Sequence, residues 1–210
     1  MPGHVFIARG DLRRLACDAW LMPCDIEARP ENKWLLPDKQ APTWPQRPAG
    51  WADDGLRVLK VQDWPSSGPQ PWLVNVGGFV GTPIRWYMDG VRQFLEKVCP
   101  AVSSRQRWLA RAKPLIALNI VGTGQGGKKR DAGEVVTALL PVLYETVERD
   151  DVDVALVAYD GPGHAAAQAA RHRLGDRRAW QGLNHRAGLR SCVLGRGAAV
   201  VFECLTVSLT

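Results

Sequence analysis

Residues 122–130, GTGQGGKKR, combine the two features an anion site needs. Gly122, Gly124, Gly126 and Gly127 leave backbone N–H groups open to close approach around Thr123 and Gln125, and Lys128, Lys129 and Arg130 follow at once. Unhindered donors ahead of a helix start, backed by cations, are suited to cradle a phosphate. The other reading is a tight turn that uses glycine only for its backbone angles, although four glycines and three cations exceed what turning requires. Two more polar residues stand where strands should end. Asp11, after Arg9-Gly10, can accept a ligand's donors or cap a loop or helix, and Tyr159 can offer an aromatic face or merely pack at the sheet edge. Thr123 likewise reads as a ligand contact or as a turn hydroxyl. Elsewhere His4, His164, His172 and His185 are scattered, and no Ser-His-Asp, Cys-His or metal constellation stands out.

These residues need elements to position them. Residues 115–121 form an apolar run broken only by Asn119, short enough to be a strand buried on both faces. Asp131 suits an N-cap, with Glu134 reaching back, and a helix over 134–149 follows that Pro141 should kink or divide. Further strands are expected at 4–8, 18–22, 56–61, 72–76 and 152–159, the last delivering Tyr159 and Asp160 to the edge that carries the glycine loops if the strands are parallel. After a second glycine loop at 77–81, Thr82 should cap and Pro83 take the first helical position. Ile84, Met88, Val91, Leu95 and Val98 then recur at helical spacing and mark a buried stripe. Residues 103–112, with Arg105, Arg107 and Arg111, read as a short basic helix, most simply a solvated face. Gly161-Pro162-Gly163 should turn the chain into an alanine-rich helix at 165–173. The segment 27–54 is irregular and rich in proline and tryptophan; its aromatic residues should pack onto the body, as a lid or as a plug at one end of the sheet.

A length of 210 residues with 46 % hydrophobic content suits one fold with appendages. The net charge of +6 favours anionic partners, but 23 % charged residues of both signs imply no general nucleic-acid coat. Cys17, Cys24, Cys99, Cys192 and Cys204 are widely spaced without a CxxC pair, so free thiols in a reducing cytoplasm are the simplest reading. No run approaches membrane-spanning length, and a soluble cytoplasmic protein without cofactor or metal is expected.

Taken together the pieces resemble the macro domain, a module that binds ADP-ribose and related NAD-derived nucleotides. Arg9-Gly10-Asp11-Leu12 with Asp18-Ala19-Trp20-Leu21 looks like its opening pattern, and ALNIVGTGQGG at 117–127 is similar to its phosphate loop. Residues 73–77 fit the strand and glycine before its central helix, and VALVAYDGPGHAAAQAAR at 154–171 looks like its last strand and helix. The resemblance implies a three-layer α/β/α fold with a mixed, largely parallel sheet over residues 1–175, carrying an insertion at about 27–54, with residues 176–210 as a tail or the start of a second domain. It also implies that Asp11 contacts the adenine amino group. Thr123 with the backbone of Gly122, Gly124, Gln125, Gly126 and Gly127 would cradle the diphosphate, and Tyr159 would sit against the adenine or its ribose.

The departures bear on catalysis. Where the family has Asn-Ala-Ala-Asn, this chain has Met22-Pro23-Cys24-Asp25, so Asp25 replaces the asparagine that positions the distal ribose. The glycine-rich loop that normally follows is missing, and Gly126 replaces an aromatic residue. A binding module without turnover, serving as a sensor or regulatory part, is therefore expected. The alternatives are an ADP-ribosyl or ADP-ribose-ester hydrolase using Asp25 as general base, and a protein or nucleic-acid interaction scaffold using the arginines at 105–111 and the 128–130 turn. Residues 200–209, VVFECLTVSL, look like the opening strand of a sirtuin-like NAD-consuming domain without its glycine-alanine-glycine turn. Macro-like modules do occur beside sirtuin-like ones in bacterial defence proteins, which makes a sirtuin-like effector an implied partner.

Overall fold

The structure is a computed structural model that describes residues 2–31, 34, 45–51, 55–62, 64, 68–77, 82–104, 111–123 and 132–186. The chain divides into the units Met1–Leu174 and Gly175–Thr210; in the second, the described residues are helical as far as Arg186. Residues 200–209, read as the opening of a sirtuin-like domain, lie outside the described residues, as do Arg105, Arg107, Asp131 and the 128–130 turn.

Six strands form one sheet: β1 (Val5–Arg9), β2 (Ala19–Cys24), β3 (Val58–Lys60), β4 (Gln70–Asn75), β5 (Leu115–Asn119) and β6 (Asp153–Ala158), in the order β1-β6-β5-β2-β4-β3. Every pairing is parallel except that of β3 with β4. The central strands are near-continuous apolar runs because both of their faces are covered. Alternation then divides them between two cores. Leu21, Ile116, Leu118, Val154 and Leu156 face a core shared with Met88, Val91, Leu95 and Val98 of α1 (Ile84–Ser103), with Val136, Leu139 and Leu143 of α2 (Ala132–Arg149), and with Ala167 and Ala170 of α3 (Gly161–Arg186). On the opposite face Trp20, Met22, Cys24, Ala117, Ala155 and Val157 pack with Leu12 from a single 3-10 turn (Leu12–Arg14) and with Trp51, and Trp34 and Trp64 lean on that cluster. The α/β architecture with its mixed, largely parallel sheet is therefore the expected one. Ala28, Trp34 and Trp51 of the tryptophan-rich segment join this second cluster.

Three local expectations need correction. Thr82 is not the N-cap residue of α1: Pro83 occupies that position with extended backbone angles, and the helix starts at Ile84. Proline's fixed φ fits that boundary, and the residue before it is pushed away from helical geometry. Pro141 does not divide α2, which runs from Ala132 to Arg149. It sits on the exposed face, where the carbonyl left without a helical donor can meet water. Gly161-Pro162-Gly163 is the first turn of α3 rather than a turn before it. The Asp160 carboxylate accepts the Gly163 N–H at 2.8 Å, and proline's missing N–H costs nothing where helical donors have no partner anyway.

Candidate functional site

Because β1, β2, β4, β5 and β6 run the same way, their carboxyl ends meet at one edge. The chain leaves β2 for β3 and β4 on one side, then crosses to β5 and β6 on the other, where β1 is the outer strand, so β2 and β5 flank the point where the winding direction changes. In such sheets that point opens a crevice outside the strand ends. Here the opening is visible in the register. β2 pairs with β5 only through Ala19↔Ile116 and Trp20↔Ala117, whereas β2 and β4 stay paired through Cys24↔Asn75, and β5 and β6 through Asn119↔Val157. Pro23 fits this parting, since its missing N–H falls where β2 has no partner on the β5 side.

The β5 end builds the turn beside this crevice. Gly122 has φ +75°, and a Cβ there would lie 2.6 Å from Cζ of Tyr87, a fully buried ring in the first turn of α1. Only glycine combines the left-handed backbone with that close approach. Thr123 donates its hydroxyl to the Ile120 carbonyl at 2.7 Å, so its side chain closes the turn and leaves its own N–H as the group to offer. Gly124, Gln125, Gly126 and Gly127 lie outside the described residues. Sequence reasoning passed over Asn119 as a site residue, although it alone broke the apolar run. Its Oδ1 is buried without a hydrogen-bond partner at the last position of β5, beyond the parting from β2.

Next along the edge, β6 is followed by Tyr159, which is 80 % exposed, the most exposed large apolar or aromatic side chain among the described residues. The register Arg9↔Ala158 places it next to the β1 end. Asp11 caps the 3-10 turn by accepting the Arg13 N–H at 3.0 Å, and it accepts the Arg13 guanidinium through Nε at 2.9 Å and Nη2 at 2.6 Å. Those bonds hold its carboxyl below the usual range. The capping alternative for Asp11 is therefore realised, and a ligand N–H would share the carboxylate with Arg13. Arg9 brings a second guanidinium to the start of α3, 3.9 Å from where a Cβ on Gly161 would stand.

At β2 the chain folds into a hydrogen-bonded loop. Asp25 Oδ1 accepts the N–H groups of Glu27 and Arg29, each at 2.9 Å, while its carbonyl accepts the Ala28 N–H at 3.1 Å and the Trp51 indole N–H at 3.3 Å. Asn75, fully buried at the β4 end, donates to the Trp51 carbonyl at 3.0 Å and accepts the Gly77 N–H at 2.9 Å. Asp25 is thus a loop-forming residue exposed at the surface. Of the basic residues at 103–112, Arg111 is described: it donates to the Ala16 carbonyl and lies 3.7 Å from Asp18, so it serves the protein body. Cys24 is buried and its thiol is pushed up by that burial and by Asp25. Among the described residues no cluster of His, Cys, Asp and Glu could hold a metal ion, and no helix is long and apolar enough to cross a membrane.

No family model and no curated protein matches the sequence. Solved structures do match. A macrodomain of Oceanobacillus iheyensis with MES bound superposes at a TM-score of 0.57 with 12 % identity, covering 81 % of this chain and 92 % of its own. The same macrodomain with ADP gives 0.54 at 15 % identity, covering 81 % and 91 %. A Trypanosoma brucei macrodomain in complex with ADP-ribose gives 0.53 at 11 % identity, covering 79 % and 68 %. The fold of this chain is the macrodomain fold.

Proposed function

We propose that the strand-end crevice binds ADP-ribose or a related NAD-derived nucleotide, and that the chain acts as a binding module in a sensor or regulatory role. The observation that carries this reading is the parting of β2 and β5 at the switch point, beside the Gly122 turn, in a fold whose solved neighbours include complexes with ADP and ADP-ribose. The N–H groups of Gly122 and Thr123, continued by Gly124, Gln125, Gly126 and Gly127, take the diphosphate at the strand–helix junction. Tyr159 lays its ring against the adenine or its ribose, and Asp11 meets the adenine amino group while holding Arg13 close by. Arg9 adds positive charge at the same end. Asp25 orders its loop and drives no turnover.

Calorimetric titration with ADP-ribose tests this directly, using the wild type and Tyr159→Ala, whose exposed ring can be removed without disturbing the core. Saturable binding is expected, weakened roughly 5- to 150-fold in the variant, the equivalent of a stacking contribution of about 1–3 kcal/mol. Absence of heat from a protein shown to be folded would remove the nucleotide reading.

A further inference from the structure

We propose that Asn119 is a further ligand-binding residue of the crevice, its Oδ1 accepting a hydroxyl of the adenosine ribose. This rests on the nucleotide reading above and deepens it. Asn119 is the last residue of β5, two positions past Ala117, where the pairing with β2 ends. Its register partner on β6 is Val157, and alternation along β5 puts its side chain on the sheet face of Ala117. That face also carries Leu12, the first residue of the 3-10 turn that Asp11 caps. Asn119 therefore stands at the parting of the strands, on the Asp11 side of the sheet and three residues before Gly122. On such an apolar face leucine or valine would pack better, and asparagine is a poor strand former. Asn75, at the end of β4, shows what a structural asparagine does here: it donates to the Trp51 carbonyl at 3.0 Å and accepts the Gly77 N–H at 2.9 Å. Asn119 Oδ1 is enclosed without a partner, and among the described residues it is the one side-chain oxygen in that state. Such an acceptor costs stability, so its presence points to a partner that the folded chain does not supply. That partner must bring a donor. An ionised diphosphate offers only acceptors, which leaves the adenine amino group and the hydroxyls. Asp11 meets the amino group in the reading above, and the adenosine ribose is the group that joins a diphosphate at the Gly122 turn to a base at Asp11 and Tyr159. Asparagine χ2 is a broad torsion, so a small turn of the half-buried amide brings Oδ1 to the hydroxyl.

Titration of the wild type and Asn119→Leu with ADP, 2′-deoxy-ADP and 3′-deoxy-ADP tests the inference, together with a urea midpoint for each chain. In the wild type one of the two deoxynucleotides should bind about tenfold more weakly than ADP, the loss of one hydrogen bond. In Asn119→Leu the three ligands should bind within about twofold of one another. The midpoint of that variant should equal or exceed the wild-type value, because leucine removes the dry acceptor from an apolar face. Equal binding of all three by the wild type, a deoxy penalty that persists in the variant, or a midpoint well below the wild-type value would overturn the role of Asn119 while leaving the nucleotide site standing. Binding of none of the three by the folded wild type would overturn the nucleotide reading itself, and this assignment with it.

Discussion

Gly122→Ala is the sharpest test of how the β5 turn is built. A side chain at φ +75° strains the backbone by about 1–2 kcal/mol. The new methyl would stand 2.6, 2.7 and 2.9 Å from Cζ, Cε1 and Cε2 of Tyr87, well inside the about 3.5–4.0 Å of a normal carbon contact. Tyr87 is fully buried among residues of α1 and the sheet, so its ring has no solvent to swing into. Forcing it aside adds about 1–3 kcal/mol of overpacking. The sum, about 2–5 kcal/mol, is a large share of the about 5–15 kcal/mol that holds an ordinary domain folded. Urea unfolding followed by tryptophan fluorescence should therefore show a large drop in midpoint with an unchanged slope. Tyr87→Ala removes the obstacle but not the backbone strain, so the double variant should recover about 1–3 kcal/mol relative to additivity. A penalty below about 1 kcal/mol for Gly122→Ala, or strict additivity with Tyr87→Ala, would refute the close approach as the reason for glycine.

Other substitutions probe the two ends of the edge. Asn75→Ala leaves the Trp51 carbonyl and the Gly77 N–H without partners and should destabilise by about 1–3 kcal/mol for each group that stays dry; an unchanged urea midpoint would argue against these two bonds as a support of the β4 end. Asp11 is held low by its bonds to Arg13, so its contribution is complete above the unfolded value of about 4 and fades as pH falls through the lower folded value. The midpoint gap between wild type and Asp11→Asn should accordingly be open at pH 7 and narrow below about pH 4, and a constant gap would refute the ion pair as its source. Burial pushes the thiols of Cys17 and Cys99 up to about 12, so both should resist a thiolate-specific reagent at pH 8 in the folded chain and react on unfolding. Rapid native labelling of either position would show that its core opens.

Most of the sheet was legible because the signals for it are local. The runs at 115–121 and 152–159 carry too few charges to sit anywhere but between two covered faces, and they form β5 and β6 within a residue or two. The stripe of Met88, Val91, Leu95 and Val98 is buried as its spacing requires. Helix boundaries were harder, since proline and glycine each have two uses. Gly161-Pro162-Gly163 reads as a break, yet once Asp160 can cap, the same residues open a helix. No pattern within the triplet distinguishes the two; the deciding partner is the preceding aspartate.

The geometry around the candidate site was legible where it depends on one strand end and illegible where it depends on two. Gly122 announces a special backbone, and Tyr159 follows directly from placing β6 beside β5. The role of Trp51 is decided instead by Asp25 and Asn75, each more than twenty positions away. A tryptophan among prolines is equally consistent with a lid and a plug until those partners are known, because burial of an indole is favourable in either place. The same holds for Asp25, whose carboxylate looks wholly available in the sequence and has one oxygen engaged in the folded loop by Glu27 and Arg29.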